Sequence, residues 1–242
     1  MQSWGITDVG CVRQQNQDAF KIEQLDKHAL LCVVCDGVGG GKSGNIASAL
    51  ASDVLVQEMK ATWRKDLDQV EVGELLRKAM KVANFTVYDQ ANEVPDFAGM
   101  ATTMVAVVLQ PDRATVLNVG DSRAYHIGEN GIRQVTVDHS MLQMMVNRGD
   151  LTAEEARNNP GKNLITRAIG AEPAVMGDVF RLEMKKEDCL LLCSDGLSNL
   201  VDEQEILFEI VHGDRTGCCQ RLLAIAQNRG APDNVTCVLA QI

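Results

Sequence analysis

Five aspartates in this chain occupy positions from which their carboxylates could act together. They are Asp18 in RQQNQDA, Asp36 in LLCVVCDGVGG, Asp121 in VLNVGDSR, Asp195 in CLLLCSDGL and Asp233 in APDNVTCVL. Three of them close apolar, strand-like runs, and a carboxylate that opens or closes a buried strand lies at the rim of a sheet, where loops build sites. Like charges that converge there need compensation, and a hard divalent cation with oxygen ligands supplies it.

The glycine-rich segment DGVGGGKSG, residues 36–44, permits two interpretations. With a strand before it and a helix after it, it resembles the phosphate-binding loop of a nucleotide hydrolase, running from Gly37 to Ser43. That loop needs four residues between its first glycine and Gly-Lys-Ser, whereas three separate Gly37 from Gly41. Asp36 then stands where the first glycine belongs, and its charge would repel the phosphates. The alternative makes Asp36 a metal ligand, with the backbone carbonyl of Gly37 turned toward the same ion.

The composition excludes several other classes of function. The chain has 242 residues and a formal charge of 23 − 33 = −10, which argues against nonspecific binding to nucleic acid or to an anionic membrane. No apolar stretch approaches the ~20 residues that span a bilayer. The N-terminal MQSWGITDVG lacks the basic and apolar regions of a signal peptide. We therefore expect a cytoplasmic protein, monomeric, with no membrane and no nucleic-acid partner.

Eight cysteines show no metal-binding or disulfide pattern. Cys32 and Cys35 form a CxxC within ALLCVVC, but residues three apart on a strand point to opposite faces. Cys189 and Cys193 share a face at ~13 Å, which is beyond disulfide reach. We expect reduced cysteines in the core. The exposure of the adjacent Cys218 and Cys219 stays open.

Short runs rich in Val, Leu and Ile predict strands over residues 29–35, 102–109, 114–119, 123–127, 178–184, 189–193 and 235–242. Apolar residues at helical spacing predict helices over residues 46–63, 72–92, 152–157, 202–211 and 216–228, with Ser43 or Asn45 as the first N-cap. The order lacks regular βαβ alternation, so it predicts antiparallel sheets with helices on their outer faces. Residues 141–175 are polar and frequently broken, which indicates an insert over the sheet rim.

Each acidic motif is by itself typical of a turn or a helix cap, but their combination is not. The motifs RxxNxD, DGxGG, ATT, GDSR, DHS, SDGL and a final DN follow one another from Arg13 to the C-terminus. Together they resemble the metal-dependent protein serine/threonine phosphatases of the protein phosphatase 2C (PP2C, or PPM) family, of the short bacterial type. The resemblance implies an α+β fold, a four-layer α-β-β-α sandwich of two central antiparallel sheets flanked by helices. It also implies a single domain over residues 1–242, with about residues 141–175 as a flap beside the site.

The resemblance further implies a metal centre of Mn²⁺ or Mg²⁺, with two ions per site and a weaker third. Asp36 would bridge the first two ions. Gly37 would give its backbone carbonyl to one of them, and Asp195 and Asp233 would complete the ligands of the other. Asp121 would help to hold the third ion.

Arg13 and Asp18 are the remaining catalytic residues that the resemblance implies. Arg13 would grip the substrate phosphate, and Asp18 would support metal-bound water. A hydroxide that bridges the two ions would attack the phosphorus of phosphoserine or phosphothreonine. The expected partners are phosphoprotein substrates, an opposing bacterial Ser/Thr kinase, and targets in a secretion system.

Departures from the family pattern are few. Gln17 stands where many relatives have Glu, and Val38 where animal relatives carry a histidine proposed as general acid. His139 is the histidine nearest to any motif, and we expect a structural role for it. The flap carries basic residues that could contact a phosphoprotein but are expected to be solvated: Arg148, Lys162 and Arg167.

Overall fold

The computed structural model describes residues 1–38, 43–157, 159 and 164–242. In chain order the strands are β1 Gln2–Asp8, β2 Asp18–Asp26, β3 Ala29–Val38, β4 Ala101–Thr102, β5 Met104–Gln110, β6 Arg113–Val119, β7 Arg123–Gly128, β8 Gly131–Gln134, β9 Asp178–Glu183, β10 Cys189–Cys193 and β11 Val235–Gln241. The helices are α1 Gly44–Thr62, α2 Gln69–Glu93, α3 Met141–Arg148, α4 Ala153–Arg157, α5 Asp195–Ser198, α6 Glu203–His212 and α7 Cys218–Asn228.

The strands form two antiparallel sheets, as the sequence predicts. The first sheet has the spatial order β1-β11-β10-β7-β8, and the second has the order β2-β3-β5-β6-β9, with β4 paired to β3. The chain passes from the second sheet to the first between β6 and β7, at Gly120 and Asp121. The two predicted strands on either side of Gly120 and Asp121 therefore belong to different sheets.

Three apolar layers hold the sandwich together. The inner faces of the two sheets pack on each other through residues such as Val34, Val107 and Leu190. Helices α1 and α2 cover the outer face of the second sheet, and helices α6 and α7 cover the outer face of the first. This arrangement is the predicted α-β-β-α sandwich. Its inner strands are buried on both faces, which explains their nearly continuous apolar sequences.

Three strands that the sequence analysis did not predict, β1, β2 and β8, lie at sheet edges. Their residues are mostly half-buried or exposed. Edge strands contact the core on one side only, so they lack the apolar run that identifies a buried strand. Helices α3 and α5 were also not predicted. They are short, and α3 buries a single residue, Leu142.

Helix termini follow local capping chemistry in most of the structure. Asp68 and Asp202 begin α2 and α6, each in a reciprocal capping box with the glutamate three residues later. Thr152 and Glu155 exchange the same bonds before α4. Of the two residues predicted as the N-cap of α1, Ser43 is confirmed and Asn45 is not. Ser43 occupies the N-cap position of α1, but its hydroxyl donates to the Asp96 carbonyl at 2.8 Å.

Seven of the eight cysteines are buried, as expected for core residues. Cys32 lies between the two sheets and Cys35 lies against the helices, so the CxxC pair does point to opposite faces. Cys218 and Cys219 are both buried against the first sheet, which settles their exposure. Cys11 is exposed. Within the described part of the chain, no helix combines the length and the hydropathy required to traverse a membrane.

Candidate active site

All five aspartates lie at one end of the sandwich. Asp18 opens β2 and pairs in register with Asp36 near the end of β3. Asp195 follows β10, and Asp233 lies shortly before β11, the antiparallel neighbour of β10. Asp121 precedes β7, whose first residue pairs with the last residue of β10. Strands of both sheets therefore deliver acidic side chains to one rim.

The electrostatics of Asp36 show how closely the group is assembled. Burial raises the pKa of its carboxyl well above the ordinary value. Four neighbouring negative charges raise it further, those of Asp18, Asp195, Asp121 and Asp233. A carboxyl group responds in this way only when like charges lie nearby in a poorly solvated region. Asp36 is thus the centre of the acidic cluster, which we define as these five aspartates.

Three other members of the acidic cluster, Asp195, Asp121 and Asp18, also have a raised pKa. Burial, followed by the charge of Asp233, raises the pKa of Asp195, whose carboxyl also lies within hydrogen-bond reach of Asp36. Burial raises the pKa of Asp121 to about 7, with Asp195 as the next contributor. Burial raises the pKa of Asp18 to about 6 against the opposing effect of its hydroxyl partners. Each acid would ionise more readily beside a cation.

Two threonines of the ATT segment fix the backbone of Asp36. The Asp36 carbonyl accepts hydrogen bonds from the Thr103 amide and the Thr102 hydroxyl, both at 2.8 Å. The Asp36 amide donates to Thr103 Oγ1 at 3.0 Å. These bonds clamp the end of β3, so the direction of the Asp36 side chain is set by its neighbours. The ATT motif is visible in the sequence, but this role of its threonines was not predicted.

Glycines permit two close approaches at this rim. A Cβ atom on Gly37 would lie 2.4 Å from the Gly44 carbonyl oxygen, and one on Gly196 would lie 1.9 Å from the Asn234 carbonyl oxygen. Any side chain at either position would force backbone segments apart. Gly37 therefore brings the start of α1 against Asp36, and Gly196 brings the loop of Asp195 against the loop of Asp233.

A serine hydroxyl holds one of the two carboxylate oxygens of Asp18. The Ser194 hydroxyl donates to Asp18 Oδ2 at 2.7 Å and accepts from the Thr236 amide at 3.0 Å. The other carboxylate oxygen, Oδ1, is buried and has no hydrogen-bond partner among the described residues. A buried acceptor without a donor is unfavourable, and such groups commonly face a water molecule or an ion.

Arg13 lies at the edge of the acidic cluster. Its Nη2 donates to Asp233 Oδ2 at 2.9 Å, and its side chain is 53% exposed. Because more than half of the side chain is exposed, a phosphate group could approach it from solvent. The predicted phosphate-binding residue and a predicted metal ligand are therefore in direct contact.

The donor set fits a divalent cation of the Mg²⁺ or Mn²⁺ kind. All of the candidate ligands are oxygens, which these ions prefer, and the mutual repulsion of the carboxylates favours a cation among them. No group of three or more His, Cys, Asp or Glu side chains among the described residues is arranged to hold an ion by itself. In proteins, Mg²⁺ usually keeps several waters and takes only one or two protein carboxylates. The unpartnered Asp18 Oδ1 is a natural acceptor for such a water.

An ion pair behind the cluster was not predicted from the sequence. Arg123 of GDSR makes a bidentate contact with Asp138 of DHS, with Nε to Oδ1 at 3.0 Å and Nη2 to Oδ2 at 2.7 Å. His139 accepts a bond from the Gly120 amide at Nδ1 and contacts Asp178 through Nε2. The two motifs thus brace the crossing between the sheets, and His139 has the structural role expected of it. The sequence feature that could have predicted this ion pair is the opposite charge of Arg123 in GDSR and Asp138 in DHS.

The insert of residues 141–175 contains α3 and α4 and is anchored beside the cluster. Ser140 caps α3 and bridges to Ile165, and Thr102 bridges to Ile169. Arg148 is exposed, whereas Arg167 Nη1 lies 3.1 Å from Asp178 Oδ1. Lys162 lies outside the described residues, as do Lys42 and the three glycines before it.

Comparison with known proteins identifies the family. The model of the family described as Protein phosphatase 2C matches residues 12–233. The chain is 35% identical over 237 residues to the serine/threonine phosphatase stp of Listeria monocytogenes serovar 1/2a, a match that covers 97% of this chain and 93% of that protein.

Solved structures agree with the sequence comparison. The serine/threonine phosphatase Stp1 from Staphylococcus aureus is similar at a TM-score of 0.93 and 36% identity, with 100% of this chain and 94% of that chain covered. The serine/threonine phosphatase PstP/Ppp of Mycobacterium tuberculosis is similar at a TM-score of 0.87 and 31% identity, with 100% and 98% covered. Together with the acidic cluster and the sandwich that carries it, these similarities show that the chain belongs to the protein phosphatase 2C family.

Proposed function

We propose that this chain hydrolyses phosphoserine and phosphothreonine in proteins, with divalent metal ions as cofactors. The observation that carries the proposal is the acidic cluster, in which burial and the charges of four other aspartates raise the pKa of Asp36 while Arg13 lies at its edge. The relatives named above are called serine/threonine phosphatases, and they match this chain over nearly its whole length.

Asp36 is the proposed shared ligand of two ions, with the Gly37 carbonyl beside it. Asp195 and Asp233 are the proposed further ligands of the second ion, and Asp121 is the proposed ligand of a third. When bound, such ions lower the pKa of a water molecule and neutralise charge on the phosphoryl oxygens. The central position of Asp36 among the other four carboxylates supports its assignment.

Arg13 and Asp18 have complementary proposed roles. The guanidinium of Arg13 would hold two phosphoryl oxygens at once, a geometry that lysine cannot reproduce. The buried Asp18 would support a water molecule at the metal centre through its Oδ1, which has no hydrogen-bond partner among the described residues.

Four candidate nucleophiles near this rim, two serines and two cysteines, are fully buried, which supports attack by water rather than by a side chain. The hydroxyl of Ser194 donates to Asp18, and the hydroxyl of Ser122 shares a bond with Thr103 at 2.7 Å. Burial raises the pKa of the Cys193 thiol to about 12, and burial with two aspartate charges raises that of Cys35 further. Neither thiol would form the thiolate that a cysteine-based phosphatase requires.

The nucleotide-hydrolase alternative receives no support from the comparisons. The family match covers Gly37 and Asp36 as part of a protein phosphatase 2C domain. The proposed single domain over residues 1–242, the opposing kinase, the secretion-system targets, the monomeric state and the cytoplasmic location stay predictions.

Metal dependence gives the most direct test of this function. We expect release of phosphate from a phosphothreonine peptide with Mn²⁺ present, and loss of nearly all turnover after EDTA treatment, because the cluster cannot neutralise the phosphoryl charge unaided. Turnover should return when Mn²⁺ is added in excess. A matched phosphotyrosine peptide serves as the specificity control. Equal rates with Mn²⁺ and EDTA would contradict the proposal.

Substitution of Asp36 should stop the reaction without unfolding the protein. We expect Asp36→Asn to lower kcat about 100-fold or more, because the amide keeps the shape of the side chain but removes the charge shared by two ions. Steady-state kinetics and a thermal melt measure the two effects. Asp89→Asn, on the exposed face of α2, is the control. An Asp36→Asn enzyme that keeps most of its kcat would refute the bridging assignment.

Arg13 should act mainly in substrate binding. We expect Arg13→Ala to raise KM about 10-fold or more, because the charge-assisted contacts of the guanidinium with the phosphate are lost, with a smaller change in kcat. Arg13→Lys should recover part of this loss, since it restores charge but not the two-point contact. Arg64→Ala, at an exposed site, is the control. A fall in kcat with KM unchanged would show instead that Arg13 acts in the transition state.

A further inference from the structure

Asn234, the residue after Asp233, has a side chain whose polar atoms are all engaged across the sheet rim. The residue is 5% exposed. Its Oδ1 accepts from the Gln17 amide at 2.8 Å, and its Nδ2 donates to the carbonyls of Val9 at 2.9 Å and Gln15 at 3.0 Å. An asparagine amide has one acceptor oxygen and two donor hydrogens, so this arrangement satisfies both ends of the side chain.

The three partners of Asn234 belong to one segment, the Arg13 loop, which we define as residues 9–17 between β1 and β2. Asn234 therefore grips this loop near its start and at its far end. The loop between the grips is open to solvent, with Val12 68% exposed and the Arg13 side chain 53% exposed. An exposed loop of this kind has many accessible conformations unless it is anchored.

The backbone of Asn234 also contacts the acidic cluster. The Asn234 amide donates to Asp233 Oδ1 at 2.9 Å, while Asp233 Oδ2 accepts from Arg13. The Asn234 carbonyl lies where Gly196 permits close approach, so the loop of Asp195 packs there as well. One residue thus contacts the loop of the phosphate-binding arginine and two loops that carry candidate metal ligands.

We propose that Asn234 is a positioning residue that holds the Arg13 loop so that the Arg13 guanidinium stays beside the metal centre. The proposal rests on the proposed function, since it takes Arg13 as the group that binds phosphate. Asn234 itself does not touch the substrate. Its contribution is to order the loop before the phosphate arrives, so that binding need not supply the ordering entropy.

Truncation of the Asn234 side chain tests whether the residue positions Arg13 or only stabilises the fold. In Asn234→Ala, the Val9 and Gln15 carbonyls lose a donor and the Gln17 amide loses its acceptor, so some stability is lost as well. The positioning role predicts in addition that KM for p-nitrophenyl phosphate and the inhibition constant of inorganic phosphate both rise about 10-fold. We expect kcat at saturating Mn²⁺ and the Mn²⁺ dissociation constant from calorimetry to change less than about threefold.

Asn84 supplies a matched control. It is 1% exposed and also joins two segments with its side chain, accepting from the Gly170 amide at 2.8 Å and donating to the Glu172 carbonyl at 3.0 Å. Asn84→Ala should lower the melting temperature in a similar way and leave both phosphate constants unchanged. Equal increases of KM in the two variants would show that Asn234 acts through stability alone and would overturn the proposal.

A double-mutant cycle with Arg13 completes the test. If Asn234 acts through Arg13, then Asn234→Ala should add little to the KM of Arg13→Ala, because the group that it positions is already gone. Additive effects on KM would overturn the proposal. If Asn234→Ala does not fold, Asn234→Ser takes its place, since a hydroxyl can accept from Gln17 but cannot donate to both carbonyls. A KM that is the same in Arg13→Ala as in the wild type would remove the phosphate-binding role of Arg13 and overturn this proposal, whereas the absence of Mn²⁺-dependent phosphate release from the wild-type protein would contradict the proposed function.

Discussion

Mutual repulsion among carboxylates that share one rim of the sandwich is the constraint on which the rest of the structure depends. Burial and neighbouring charge raise the pKa of Asp36 well above its usual range, and Asp18 and Asp121 reach about 6 and about 7. Such a group of acids is unfavourable in the ionised state unless positive charge lies among them. The fold must therefore hold these side chains together against their own repulsion, and the cation that relieves it becomes part of the working protein.

Both the sheet topology and local contacts hold the five aspartates together. Both sheets contribute strand ends to the rim, and the chain crosses from one sheet to the other beside Asp121. Backbone bonds from Thr102 and Thr103 fix the end of β3, and the close approach at Gly196 joins two further loops. The Arg123–Asp138 pair braces the crossing from behind. These contacts do not use the carboxylates of the acidic cluster, so they position the aspartates without occupying their oxygens.

The sequence predicted the layered fold and the meeting of the aspartates for a physical reason. Inner strands such as β3 and β10 are buried on both faces, so their apolar runs identify them, and an acidic residue near the end of such a run must lie at the sheet rim. Edge strands such as β1 and β2 gave no such signal, because one side of each lies outside the core. The roles of Asn234 and Ser194 depend on which distant backbone groups the fold brings near them, and local patterns do not encode that information.

Diffraction from a crystal soaked in Mn²⁺, recorded at the manganese absorption edge, tests the central claim most directly. The account predicts two anomalous peaks ~3.5–4 Å apart, the spacing of paired catalytic ions. Both should adjoin the Asp36 carboxylate, with Asp195 and Asp233 beside one of them and the Gly37 carbonyl beside the other. Peaks remote from Asp36, or a cluster without a manganese ion in a crystal soaked at saturating concentration, would contradict it.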